Sequence, residues 1–336
     1  MMQTHPPRAQ EAARKFGQEP EQSLPAANAG ASGAVTAPPL SVIVVAFNGA
    51  AVLARCLEAL VPQSEATAGE VVVVGSALDE PGYRALRAAH PQVRWLAAPD
   101  GATVPQMRQL ALAQCRGAVV AMLEDTSLVA DGWCEAALRA HRSAHLAIGG
   151  PIEPADYSRA RDWAVFFCEY ARFMPPFAGA VAALPGNNAA YKQVALAGSA
   201  AGHGFYDVFV HWRWQQQGIT LIADPAMLIR HAGGWTPAHL TTSPFHHGRA
   251  FAGLRFGPQA YHLRWLYAGL ALALPLVQTA RVARAVAARR RYRVKLIGAL
   301  PGCCCLQPVG RQGKSPATWQ AQARAPPAGD ERPARP

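Results

Sequence analysis

The chain is short of charge. Only 16% of its 336 residues are Asp, Glu, Lys or Arg, while 51% are hydrophobic by a count that includes alanine. Average soluble domains carry about a quarter charged residues, so part of this surface is expected to be covered by something other than water. Acids are the scarcer half, 21 Asp plus Glu against 32 Lys plus Arg, for a formal net charge of +11. No zinc-finger spacing, RNP motif or aromatic-interleaved basic stretch accompanies that excess, which speaks against nucleic acid as a partner. No Gly-x-Gly-x-x-Gly follows the first strand-like run, where Asn48-Gly49-Ala50-Ala51 stands instead. A nicotinamide-dependent oxidoreductase is disfavoured accordingly.

Long uninterrupted apolar runs are missing too. Trp265 to Ala280, WLYAGLALALPLVQTA, is uncharged but contains a proline and falls short of the roughly 20 residues a spanning helix needs. Behind it, Arg281 to Lys295 brings seven positive charges and no negative one. An apolar run beside a basic one suits a helix lying in the inner leaflet, which places the protein on the cytoplasmic face of the cell membrane, peripheral or monotopic. A buried amphipathic helix is the alternative. Residues 1–38 mix Pro, Ala and Gln without an apolar core of the kind a secretory signal has, and read as a disordered leader. Residues 301–336 return to that composition and read as a disordered tail. Seven cysteines make no disulfide scaffold in a chain this long. Cys56, Cys115, Cys134 and Cys168 stand isolated among apolar residues, as buried thiols do, and the adjacent Cys303, Cys304 and Cys305 lack zinc-site spacing.

What is present is a regular alternation. Val42 to Phe47 and Glu70 to Ser76 are continuous β-branched runs of the kind buried on both sheet faces. Val93 to Leu96 and Ala118 to Leu123 read as further strands, and helical patterns fill the gaps at Ala50 to Leu60, Tyr83 to Ala89 and Val104 to Gln114. The fold class is α/β, with a mostly parallel central sheet flanked by helices and ligands outside the carboxyl ends of its strands. Residues 39–240 read as one domain of two halves, 39–130 and 131–240, and residues 241–300 as a C-terminal helical segment.

Three polar islands interrupt the apolar text. Glu124-Asp125 follows a buried strand directly, where a divalent cation would bridge a carboxylate to a diphosphate; a turn cap is the plain alternative. Pro185 to Lys192, PGNNAAYK, reads as a tight loop with amides toward a ligand, or as an ordinary turn. Asp207 opens a helix between Phe205 and Phe209, where it can serve as a general base or simply favour the helix start. His231 stands late in the domain as a candidate metal or diphosphate group.

In order, these pieces resemble the inverting glycosyltransferase family 2, of GT-A fold, across roughly residues 39 to 235. The resemblance rests on Val44-Val45-Ala46-Phe47-Asn48, Leu123-Glu124-Asp125, Gly132-Trp133, Pro185 to Lys192, and Asp207 followed by Arg213-Trp214 and Gly218. It implies a bacterial membrane-associated enzyme of the single-transfer type, acting on a nucleotide-sugar donor and a glycan, lipid or lipid-linked acceptor. Ala46, Phe47, Asn48 and Ser76 would line the nucleotide pocket. Asp125, with Glu124 beside it and His231 in support, would hold Mn2+ or Mg2+. Asp207 would be the catalytic base, and Gly186, Asn187, Asn188, Arg213 and Trp214 would face the acceptor. Three departures stand out: Gly75-Ser76 replaces the aspartates usual after the second strand, Glu124-Asp125-Thr126 replaces Asp-x-Asp, and Val210 to Trp214 lacks the pattern of processive members. The rival expectation is a noncatalytic nucleotide- or glycan-binding protein of a membrane-associated polysaccharide assembly system.

Overall fold

The structure is a computed structural model, and it describes residues 37–197, 204–233 and 274–301. Strand β1 (Leu40–Val45) shows why the β-branched runs form strands: all six residues are buried, and alternate side chains serve two different cores. Leu40, Val42 and Val44 join one, whereas Ile43 and Val45 join the other. The first core is covered by α1 (Ala50–Ala66) through Leu53, Cys56, Leu57 and Leu60. The second is covered by α3 (Val104–Leu112) through Met107 and Ala111. Helix α1 runs past the expected Leu60, straight through Pro62.

Strands β2 (Glu70–Gly75), β3 (Arg94–Ala97) and β4 (Val119–Glu124), with α2 (Pro81–Ala89) between β2 and β3, complete the first half. The sheet order is β3-β2-β1-β4, all parallel. The chain therefore moves outward from β1 to β3 and returns on the other side of β1 as β4. Its carboxyl ends diverge there and leave the crevice in which open α/β sheets bind ligands.

Beyond β4 the sheet becomes mixed. It contains β6 (Ala147–Gly149), β8 (Gly179–Val181), β9 (Asn188–Lys192) and β10 (Leu221–Ala223) in the order β4-β9-β6-β10-β8. Strand β9 pairs antiparallel with both β4 and β6. Most of PGNNAAYK is thus a buried central strand instead of a loop, since Ala189, Ala190 and Tyr191 point into the two cores. A small sheet of β5 (Ser127–Val129), β11 (Ile229–His231) and β7 (Ile152–Pro154) lies beside it. Helices α4 (Trp133–Ala140), α5 (Ala160–Tyr170) and α6 (Asp207–Gln216) flank this half.

Helix α7 (Leu274–Arg289) docks by burying Val282 and Val286 in the first core. Arg289 Nε donates to the Met174 carbonyl at 2.7 Å, and Tyr292 packs on Trp163 of α5 with ring centroids 5.0 Å apart. Among the described residues no helix is long and apolar enough to cross a membrane. Most of the run from 265 to 280, all but the last two residues of the leader, and all but the first residue of the tail lie outside the described residues.

Candidate active site

The crevice is built around a carboxylate that faces inward. Asp125, immediately after β4, is fully buried. Its Oδ2 accepts the backbone N–H groups of Phe47 at 2.8 Å and Asn48 at 2.7 Å, and its Oδ1 accepts the Asn48 side-chain amide at 2.7 Å. The loop after β1 is thereby pinned to the end of β4, across the switch point. Burial pushes the Asp125 carboxyl above its ordinary range, against the opposing pull of these donated hydrogen bonds. Phe47 is left 46% exposed at the crevice mouth, an aromatic face open for stacking, and Ser76 is exposed at the end of β2. Gly75 allows the two strand ends to meet, because a Cβ there would lie 2.8 Å from the Ala46 carbonyl oxygen.

Asp207 reaches the same crevice from the other half. Phe205 N donates to the Pro105 carbonyl at 2.8 Å, and Gly204, at φ +109, sits where a Cβ would strike the Pro105 backbone at 2.6 Å. The start of α6 is thus fastened to the start of α3. Gly186 then makes room for the carboxylate, since a Cβ there would stand 3.0 Å from Asp207 Cγ and both of its oxygens.

Between the two halves lies Arg108 of α3, which the sequence reading passed over. Its side chain is 6% exposed. Nη2 donates to Glu124 Oε1 at 2.9 Å and Nη1 to Asp207 Oδ1 at 3.1 Å. A lone charge at the core-facing spacing of Met107 and Ala111 was the available signal. Tyr170 was missed as well: its hydroxyl accepts from the Asn187 side chain at 3.3 Å, and burial, with Glu124 nearby, pushes it well above the ordinary tyrosine range.

The structure therefore brings together Ala46, Phe47, Asn48, Glu124, Asp125, Gly186 and Asp207, and it gives other expected site residues different work. Asn188 is buried; its amide donates to the carbonyls of Pro151 at 3.1 Å and Met227 at 2.7 Å, and it accepts from Trp133 Nε1 at 3.0 Å. That is a crossbrace between elements, with no group left for an acceptor. Trp214 packs in the second core, while Arg213 is exposed at the far end of α6. His231 is buried with Nδ1 3.0 Å from the Tyr157 hydroxyl, and burial drives it down to about 3, so the ring is neutral.

These placements bear on a divalent cation. Both Asp125 oxygens and one His231 nitrogen already have partners, and among the described residues no group of three or more His, Cys, Asp or Glu side chains could hold a metal ion. A cation that brings phosphate oxygens as ligands needs only one or two carboxylates. Glu124, 17% exposed at the crevice, fits that requirement.

A central α/β sheet flanked by helices, with its crevice at the carboxyl ends of β1 and β4, defines the GT-A fold of nucleotide-diphospho-sugar transferases. Residues 41–196 match the family model described as Glycosyl transferase family 2. The chain is similar in fold to the mannosyltransferase PcManGT from Pyrobaculum calidifontis, solved in complex with GDP-Man and Mn2+, at 20% identity and a TM-score of 0.50 over 91% of this chain and 92% of that one. A mycobacterial protein aligns at 12% identity and a TM-score of 0.44 over 64% and 73% of the two chains, too distant to add to the argument. No curated protein matches.

Proposed function

We propose that the chain is an inverting glycosyltransferase that moves a sugar from a nucleotide-diphosphate donor to a hydroxyl acceptor. The observation that carries this reading is the convergence of the Asp125-pinned loop, Glu124 and Asp207 on one crevice, from two halves of the chain. The nucleoside lies at the end of β1, against Phe47 and Asn48. The acceptor hydroxyl attacks the anomeric carbon in line, forming the new C–O bond as the bond to the diphosphate breaks and its electron pair leaves on the diphosphate oxygen. Asp207 takes the proton. A divalent cation, Mn2+ or Mg2+, held by Glu124 would neutralise the departing diphosphate.

The acceptor is a lipid, glycan or lipid-linked glycan at the cytoplasmic face of a membrane. Support comes from the basic C-terminal segment, where Val294 and Ile297 are 80% and 70% exposed among exposed Arg290, Arg293 and Lys295. Arg172 lies within electrostatic reach of both Asp207 and Arg281 of α7, so this segment flanks the acceptor side. The full-length protein is expected to leave the soluble fraction at low salt without detergent; complete recovery there contradicts the membrane assignment.

One observation favours the noncatalytic reading: no acid directly follows β2, where Gly75 leads to an exposed Ser76 and Asp79 is the nearest acid. Incubation with a panel of nucleotide sugars and membrane-derived acceptors separates the two. The transferase reading expects sugar transfer by the wild type and about a thousandfold less by Asp207→Asn, which still binds nucleotide. Binding without transfer by the wild type supports the noncatalytic protein.

A further inference from the structure

We propose that Arg108 couples the donor pocket to the base. Without donor its guanidinium holds Asp207 and Glu124 together; an arriving diphosphate takes the guanidinium in exchange and leaves Asp207 free for the acceptor hydroxyl. The inference rests on the transferase reading above, and it goes further by making donor binding the event that arms the base.

The geometry starts from one cation shared by two anions. The Nη1 contact of 3.1 Å occupies Asp207 Oδ1, the kind of lone pair a general base needs, and the Nη2 contact of 2.9 Å occupies Glu124 at the donor crevice. With Arg108 and both acids charged, the three groups carry one net negative charge, an unfavourable entrance for a diphosphate unless it takes over the cation. The guanidinium is suited to that exchange, because its planar fork matches phosphate oxygens as well as carboxylates. Arg108 Nε is buried with no hydrogen-bond partner. A buried donor in that state is costly, and a phosphate oxygen would satisfy it.

The surroundings favour movement of the cation over movement of the acid. Asp207 sits flush on Gly186 and in the first turn of a helix fastened to α3. Behind it, the Tyr191 hydroxyl and His211 Nε2 are paired at 3.0 Å, and burial lowers His211 so that it stays neutral. The other nearby cation, Arg172, has its own affinity for protons lowered by burial. Arg108 is thus a positioning residue whose partner changes, and the acceptor is used only after the donor is seated.

The test is a double-mutant cycle read by calorimetric titration with GDP, UDP, CDP and ADP in manganese-containing buffer. Asp207→Asn is expected to bind its nucleoside diphosphate about tenfold tighter than wild type, within the range by which contacting residues couple. In an Arg108→Met background the same change is expected to have no effect. A gain of equal size in both backgrounds would be charge removal acting through space and overturns the coupling, as does no gain in either. Should Arg108→Met fail to fold, Arg108→Lys serves as the second background, since an ammonium lacks the fork; the gain is then expected to shrink to less than threefold, and an undiminished gain overturns the proposal. If the wild type binds none of the four nucleotides, the transferase reading falls and the coupling with it. Binding by the wild type without an Arg108-dependent gain removes the coupling alone.

Discussion

Two clusters of arginine and carboxylate close opposite edges of the same sheet, and their stoichiometry is reversed. At the amino-terminal edge one acid meets two cations. Glu70 accepts from Ser41 Oγ at 2.6 Å, Arg116 N at 2.8 Å, Arg116 Nη2 at 2.8 Å and Arg94 Nη1 at 3.1 Å. Burial works to raise its carboxyl, but those hydrogen bonds outweigh it and hold the group below its ordinary range. At the carboxyl edge one cation, Arg108, meets two acids and keeps an unpartnered Nε. The first cluster has its acid saturated and binds three strand ends together. The second is short of positive charge and opens onto the crevice. A saturated knot stabilises; an unsaturated one can exchange partners with a ligand.

The sharpest way to break this contrast is at Asp207. Asp207→Asn is expected to lower transfer by about a thousandfold, the range of a lost general base, with an unchanged melting temperature. Equal losses of activity and stability would make it a structural acid like Glu70. Conversely, Glu70→Ala leaves the buried Ser41 hydroxyl and the Arg116 guanidinium without their acceptor and is expected to cost about 2 kcal/mol in urea unfolding, with nucleotide affinity intact. A Glu70→Ala variant that folds normally but loses nucleotide binding would erase the distinction.

Gly186→Ala tests how closely the carboxylate is held. Its Cβ falls 3.0 Å from the Asp207 carboxylate, and a displacement of that kind is expected to lower turnover about tenfold with about 1 kcal/mol lost in stability. The smallest effect is in pH. Because the folded Glu70 carboxyl is depressed, its contribution is complete above the unfolded value and is lost as pH falls through the folded one. Acid unfolding curves of wild type and Glu70→Gln should therefore converge as the pH drops, and parallel curves would contradict the cause given.

The two halves also differed in how much could be read without coordinates. Strands β1, β2 and β4 were legible because Val42 to Val45, Val71 to Val74 and Val119 to Leu123 are buried on both faces, so composition alone marks them. In the second half β8 is only three residues long and lies at the sheet edge, and nonlocal pairing decides it more than local pattern does. PGNNAAYK resembled a loop for that reason: its polar start signals a turn, while the sheet claims everything from Asn188 onward. The acids were found because charge after a buried strand is conspicuous. Their partners were not, since Arg108 meets Glu124 and Asp207 across 16 and 99 residues of chain. Likewise, the three hydrogen bonds that draw Asp125 inward come from residues 77 and 78 positions away.

The central claim is that the crevice between β1 and β4 is a nucleotide-sugar site. Calorimetric titration of the wild type with nucleoside diphosphates and their sugars, each with and without Mn2+ or Mg2+, tests it most directly. The account predicts saturable, metal-dependent binding of one nucleoside class and its sugar conjugate. A folded protein that binds no member of that panel would contradict it.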